Sequence, residues 1–245
     1  SPRAYQRDPL YTLETNYVGT RNLLELAREK GATILQASTS EVYGDPKIHP
    51  QVESYWGNAN CFGVRGCYEE GKRVAETLML EYARRHGVRI KVVRIFNTYG
   101  PRMDPEDGRI ISSFIVQALR GESITVFGDG SQTRSFCYVD DLVDGLVKMA
   151  ASDPSFTGPV NLGSRVELTV LETAGLIKEM TGSPSAIVFN DLPPDDPKKR
   201  KPDISLAESK LGWCPRVPFG VGAARTIEYF NGIIGCSSQG ARCEL

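Results

Sequence analysis

Three observations in the 245-residue chain predict an α/β fold built on a parallel sheet. Helical and strand-like patterns alternate over the first hundred or so residues. The strands are short apolar runs, as expected of strands buried on both faces. The helices between them are long enough to cross a sheet and start the next parallel strand.

Taken in order, Ser1 to Pro9 reads as a turn because two prolines bracket it. Leu13, Tyr17, Leu24 and Ala27 then recur at helical spacing, and Gly31 stops that helix. Thr33 to Ala37 reads as a buried strand. A polar loop rich in Gly, Pro and Asn runs from Gly44 to Gly66. A second helix spans Tyr68 to His86, closed by Gly87, and Val88 to Phe96 is the next strand. Beyond Asn97 the elements shorten. Helices are expected over Gly108–Arg120, Val139–Ala151, Thr169–Thr181, Ile204–Leu211 and Val221–Phe230. Strands are expected at Ile124–Phe127 and Pro159–Leu162, and Pro193 to Pro197 reads as a rigid loop.

Composition narrows the function classes. A hydrophobic share of 40%, a charged share of 24% and a net charge of -1 describe an ordinary globular chain with no field drawing it to nucleic acid or anionic lipid. No apolar run approaches the roughly 20 residues of a membrane helix. The six cysteines form no Cys-x-x-Cys pair and only two histidines exist, so no metal site is expected. His49 and His86 read as structural. Scattered cysteines suit a reducing, cytoplasmic compartment, and a Golgi-lumen location stays open for a longer form. By charge pattern alone, Lys198 to Lys201 reads as a solvated loop.

Two segments carry chemistry. Tyr68 and Lys72 are four residues apart on a helix, hence on one face and one turn apart. An ammonium beside a phenol favours the phenolate, so Tyr68 is expected to have a lowered pKa and to serve as a base toward a hydroxyl. Ser38-Thr39-Ser40-Glu41 follows the buried strand, and open α/β sheets bind ligands beyond the carboxyl ends of their strands. The glycine-rich loop on which such folds seat a dinucleotide pyrophosphate is absent, and the chain starts with a helix rather than a strand.

At these residues the chain resembles the extended short-chain dehydrogenase/reductase family of nucleotide-sugar enzymes. The matching segments are Ser38 to Gly44, Tyr68 with Lys72, Arg94 to Arg102, Val126 to Arg134, and Tyr138 to Asp141. Within the family, Ser38 to Pro46, Tyr68 to Thr77 and Asp196 to Ile204 are similar to the branch that decarboxylates UDP-glucuronate to UDP-xylose. The 4,6-dehydratases of the family carry an acid where this chain has Ser40, which argues against dehydration. A 4-epimerase or dehydratase, and a non-catalytic fragment that binds sugar nucleotide or dimerises, are the alternatives.

The resemblance implies a Rossmann-like sheet lacking its first strands, with a smaller carboxy-terminal substrate domain. Residues 1–97 would be the remainder of the NAD-binding domain. Residues 98–234 would mainly bind the nucleotide sugar, with some segments returning to the sheet, and 235–245 would be a disordered tail. It implies NAD as cofactor, held by Ala37, Ser38, Thr39, Tyr68, Lys72, Thr98 and Arg102. The implied catalytic set is Thr39, Ser40, Glu41, Tyr68, Lys72 and Arg200. The UDP-sugar would meet Asn97, Arg109, Arg134, Arg200 and Asp203, with Val126 and Phe127 flanking the uracil. The helices around Leu13–Ala27 and Tyr68–His86 resemble the family's dimer-forming pair, implying a homodimer through a four-helix bundle.

Overall fold

Residues 1–238 are described by a computed structural model. The amino end is helical where a turn was expected: α1 spans Pro2–Arg7 and α2 spans Pro9–Glu14. Each proline sits at the first position of its helix, where a missing N–H costs nothing. The Ser1 hydroxyl and the Asp8 carboxylate cap them, accepting from the amides of Ala4 and Tyr11. A wide turn at Thr15–Gly19 leads into α3 (Thr20–Lys30), which ends at Gly31 with φ 61°. That left-handed angle suits glycine and closes the helix where expected.

Strand β1 (Thr33–Thr39) runs into a short 3-10 turn at Ser40–Tyr43. Helix α4 (Gly66–His86) and strand β2 (Arg89–Ile95) follow, and β1 and β2 pair in parallel from Thr33–Arg89 to Thr39–Ile95. The strands then alternate with short helices: β3 (Thr98–Tyr99), α5 (Ile110–Arg120), β4 (Ile124–Phe127), β5 (Thr133–Ser135), β6 (Cys137–Tyr138) and α6 (Val139–Ala151). The rest are β7 (Val160–Leu162), β8 (Glu167–Thr169), α7 (Val170–Thr181), β9 (Ile187–Asn190), β10 (Lys199–Arg200), α8 (Ser205–Leu211) and α9 (Phe219–Ser238). Four residues of the expected disordered tail, 235–238, therefore continue α9. The rest of that tail lies outside the described residues.

The main sheet has the order β1-β2-β7. Alternation along β2 sends Ile90 and Val92 to one face, where they pack with Leu24, Ala27 and Met79 of α3 and α4. Val93 points to the other face and joins Leu142, Met149, Leu162 and Trp213. Helices thus cover both faces, which explains the apolar runs. The second edge of β1 has no strand partner among the described residues. A separate core around Phe114, Ile115, Val126, Ile177 and Phe230 binds α5, β4, α7 and α9.

Two small sheets escaped the pattern reading. β3 pairs with β6, and β5 lies between β10 and β8. At two or three residues each, they have no period to read, and tertiary pairing makes them. One of them corrects the solvated-loop reading of Lys198 to Lys201, because Arg200 lies on β10 with 1% of its surface exposed.

Candidate active site

The site forms where β1 ends. Thr39 is the last residue of that strand, and its hydroxyl accepts from the Glu41 amide at 3.2 Å, turning the chain into the 3-10 segment. Helix α4 enters beside it and presents Tyr68 in its first turn. The Tyr68 hydroxyl lies close enough to Thr39 for that side chain to favour its ionised form. Lys72, one turn on, holds its Nζ 5.9 Å from the centre of the Tyr68 ring and donates to the Ala37 carbonyl at 3.1 Å. The structure thus brings Thr39, Tyr68 and Lys72 together at the end of β1.

The electrostatic balance at Tyr68 differs from expectation. Burial raises the pKa of its hydroxyl and the Glu41 charge adds to this, while the nearby Thr39 side chain and the Arg109 and Arg65 charges offset it only in part. Burial also lowers the Lys72 ammonium pKa, so the pair is tuned for a dry site rather than by mutual attraction.

Beside Tyr68 lies a buried cluster of charges. Arg65 immediately precedes α4, and its guanidinium bonds Glu41. The same group lies 3.6 Å from Glu69 and 3.7 Å from Asp196. Arg200 donates to the Ser40 carbonyl and sits 3.4 Å from the other Glu41 oxygen. Arg134, beside Arg200 in the β5–β10 register, donates to Asp196 at 2.7 Å. Burial alone would raise the Glu41 carboxyl pKa, but Arg200, Arg65 and Arg134 outweigh it and hold it at about 2. Glu69 is pushed up to about 7, by burial first and then by the Glu41 charge. Burial lowers the Arg200 pKa more than the Glu41 charge raises it. Three buried donors here make no hydrogen bond among the described residues: Tyr5 OH, Arg65 Nε and Arg200 Nη2.

A second network fixes the frame. The Ser38 hydroxyl donates to Glu76 at 2.5 Å, and Arg94 grips Glu76 through two bonds of 3.0 and 2.7 Å. Arg94 also donates to Tyr43 OH at 3.0 Å, and Tyr43 donates to Asn161 at 2.8 Å. β1, α4, β2 and β7 are thereby tied at the end that carries the site.

The remaining expected residues divide. Arg109 stands just before α5, pairs with Asp107 at 2.7 Å, and is close enough for its charge to act on Tyr68. Asn97 is half-buried and its carbonyl accepts from the Cys137 amide at 2.8 Å. Thr98 donates its hydroxyl to the Phe96 carbonyl. Arg102 is exposed, with φ 68°. Phe127 is 44% exposed and free to meet a ligand, whereas the Val126 side chain is fully buried in the carboxy-terminal core. The expectation that Val126 flanks a base is corrected: alternation along β4 turns it inward. Asp203 accepts from the Ser205 amide at 2.8 Å, at the start of α8, and makes no ion pair with the Glu41 cluster among the described residues.

Pattern reading missed Arg65, Glu69, Asp196 and Tyr5, which stacks on Tyr68 at 5.0 Å. Only the i,i+4 spacing of Arg65 and Glu69 was visible in the sequence, and that spacing usually marks an exposed pair.

Among the described residues no helix is long and apolar enough to cross a membrane, and no group of three His, Cys, Asp or Glu side chains could hold a metal ion.

A family model described as "NAD dependent epimerase/dehydratase family" matches residues 1–163. UDP-glucuronic acid decarboxylases 3 and 5 of Arabidopsis thaliana are 56% and 54% identical over 231 residues, which is 94% of this chain and 67% of each relative. UDP-glucuronic acid decarboxylase 1 of Danio rerio is 54% identical, with 94% of this chain matching 55% of that relative. Among solved structures, a UDP-glucose 4-epimerase from Thermotoga maritima superposes with a TM-score of 0.87 at 30% identity, over 96% of this chain and 75% of that one. A UDP-glucuronic acid 4-epimerase from Bacillus cereus, in complex with UDP-glucuronic acid and NAD, gives 0.82 at 28% identity, over 90% and 68%.

Proposed function

The chain belongs to the NAD dependent epimerase/dehydratase family, and from that premise we propose that it carries the catalytic residues of a UDP-glucuronate decarboxylase that forms UDP-xylose through a 4-keto intermediate. The observation that carries the reading is the grouping at the end of β1. Thr39, Tyr68 and Lys72 meet there, an ionised Glu41 stands beside them, and Ser40 occupies the place of a dehydratase's acid.

The residues present fit the nicotinamide end of NAD: exposed Ala37 and half-buried Tyr68 and Lys72 line an accessible rim at the end of β1. Lys72 would hold the nicotinamide ribose, and Ser38, Thr39, Thr98 and Arg102 stand as the further contacts of this reading. When bound, NAD supplies the hydride acceptor for C4 and a positive ring charge that favours the Tyr68 phenolate. Tyr68 accepts the proton of the C4 hydroxyl, and Thr39 shares that hydrogen bond. With C4 a ketone, the C5 carboxylate is a β-keto acid. Its bond to C5 breaks, CO2 leaves, and the electron pair moves into the C4 carbonyl. A proton returns to C5, and Tyr68 gives its proton back to the C4 oxygen, where bound NADH would return the hydride. Glu41 and Ser40 position the departing carboxylate or assist proton return. Asn97, Arg109, Arg134, Arg200, Phe127 and Asp203 are the proposed contacts of the UDP-sugar, with the guanidinium groups matched to phosphate and carboxylate.

In the same reading, residues 1–97 belong to the NAD-binding domain, and residues 98–234 mainly to the sugar-nucleotide region, with β7 returned to the main sheet. A second copy of the chain pairs through α3 and α4, a role supported by exposed Leu23, Leu26 and Leu80. A cytoplasmic location is supported by free Cys61, Cys67, Cys137 and Cys214.

A 4-epimerase is the second reading, favoured by the epimerases among the solved neighbours. One assay separates the readings: NAD and UDP-glucuronate are mixed with this chain, and with the chain extended at its amino end to the length of its relatives. Release of CO2 with UDP-xylose is the expected result. An epimerised uronate without CO2 means the second reading, and no product at either length sinks both.

A further inference from the structure

Glu41 has a different guanidinium on each oxygen, and the two arrive from unrelated parts of the chain. Arg200 comes from β10, 159 positions after Glu41 in the chain, and faces Oε1 at 3.4 Å. Arg65 bonds Oε2 and stands at the entrance to α4, three residues before Tyr68. The carboxylate is thus bonded on Oε2 by Arg65 and flanked on Oε1 by the Arg200 charge, and the Arg65 bond is the one that fixes its orientation. Because Arg65 and Tyr68 share one helix start, the Arg65 bond sets where the Glu41 carboxylate stands relative to the Tyr68 hydroxyl. Arg65 is itself held, with 13% of its side chain exposed, by Glu69 in the next turn and by Asp196 in the loop before β10. Asp196 in turn is bonded by Arg134. The charges alternate from Arg134 through Asp196, Arg65 and Glu41 to Arg200, so each guanidinium has a carboxylate and the chain of ion pairs spans four segments of the molecule.

We propose that Arg65 is a positioning residue of the reaction: it holds the Glu41 carboxylate in place beside Tyr68 while the sugar reacts. The proposal rests on the decarboxylase reading for its effect on turnover, but not for its effect on Glu41 itself. The groups that face Glu41 are Arg65, Tyr68 and Glu69 at the start of α4, Arg200 on β10, Arg134 on β5, and Tyr5 on α1. Arg200 and Arg134 remain when Arg65 is removed, so Glu41 stays in the cluster but loses its tie to α4.

The test compares wild type, Arg65→Gln and Arg65→Lys. The Glu41 carboxyl is titrated by carbon-13 NMR, and turnover of UDP-glucuronate is followed against pH in whichever chain length is active. Arg65→Gln is expected to move the Glu41 titration up by at least about one pH unit. It is also expected to lower kcat about tenfold or more, with KM changed less than about threefold, and to bring an acid limb into the kcat profile. Arg65→Lys, which keeps the charge but not the fork, falls between the two. An unmoved Glu41 titration with wild-type kcat overturns the proposal. So does an equal loss in kcat and KM with no change of pH profile, which marks a purely structural residue. If Arg65→Gln fails to fold, Arg65→Lys decides alone, and a wild-type pH profile in it overturns the proposal. If wild type forms no UDP-xylose, the decarboxylase reading fails, and the Glu41 titration still decides whether Arg65 holds that carboxylate.

Discussion

At the residue scale, Tyr68 and Glu69 are neighbours in sequence with opposite duties. Tyr68 faces Thr39 and the open rim, and Tyr68→Phe removes the hydroxyl that is proposed to accept the C4 proton. Turnover is expected to fall by at least about 100-fold while UDP affinity, read by calorimetry, changes little. A comparable loss of UDP affinity would show that the ring is a structural prop. Glu69 turns inward, and its carboxyl is raised from 4.5 to about 7. Its folded pKa exceeds its unfolded one, so the folded state binds the proton more tightly. Stability is therefore lost as pH rises from about 4.5 through 7, then levels off. Glu69→Gln removes that penalty. The variant should match wild type near pH 4 and exceed it at pH 8 by on the order of 2 kcal/mol, checked by denaturant unfolding at both values. Tyr68 was legible because Lys72 lies one turn away and Thr39 ends a strand. Glu69 was not, because a glutamate in a first helical turn ordinarily faces solvent.

At the element scale, the position of α4 on the sheet decides whether Tyr68 meets Thr39. The Ser38–Glu76–Arg94 contacts fix that position from inside. Glu76→Ala leaves a buried guanidinium without its carboxylate, at a cost of about 3 kcal/mol. The melting temperature should drop, and the loss should be larger than for Arg94→Ala made together with Glu76→Ala, since the pair leaves no uncompensated charge. A double-mutant cycle measures it. The long elements α3, α4, β1 and β2 were legible from spacing and from the glycines at their ends. The strands β3, β6 and β10 were not, because two residues carry no period and their partners lie far away in sequence. Pro2 and Pro9 misled for another reason: proline marks turns and helix starts alike, and only the caps at Ser1 and Asp8 tell which.

At the scale of the whole molecule, the β1-β2-β7 sheet carries a core on each face, the first around Val93 and Trp213 and the second around Ile90 and Val92, and a third joins α5, β4, α7 and α9. Arg200 and Asp196 reach the site from the carboxy-terminal half, so the charge cluster is complete only when both halves are folded. Trp213 anchors the first core, fully buried, with its indole N–H donating to the Asp141 carbonyl at 2.8 Å. Trp213→Ala should cost about 3–5 kcal/mol, read as a shift of the unfolding midpoint, and should release α8 from α6. How the halves join was not legible, because it depends on ion pairs between segments more than a hundred residues apart.

The parallel register of β1 on β2 carries a dynamic signature. Alternate amides along Thr33–Thr39 are bonded to β2. Those positions should exchange their hydrogens slowly, because only an opening of the whole sheet exposes them. Slow exchange at the strand that ends in Thr39 would mark the floor of the site as one of the last parts of the molecule to loosen.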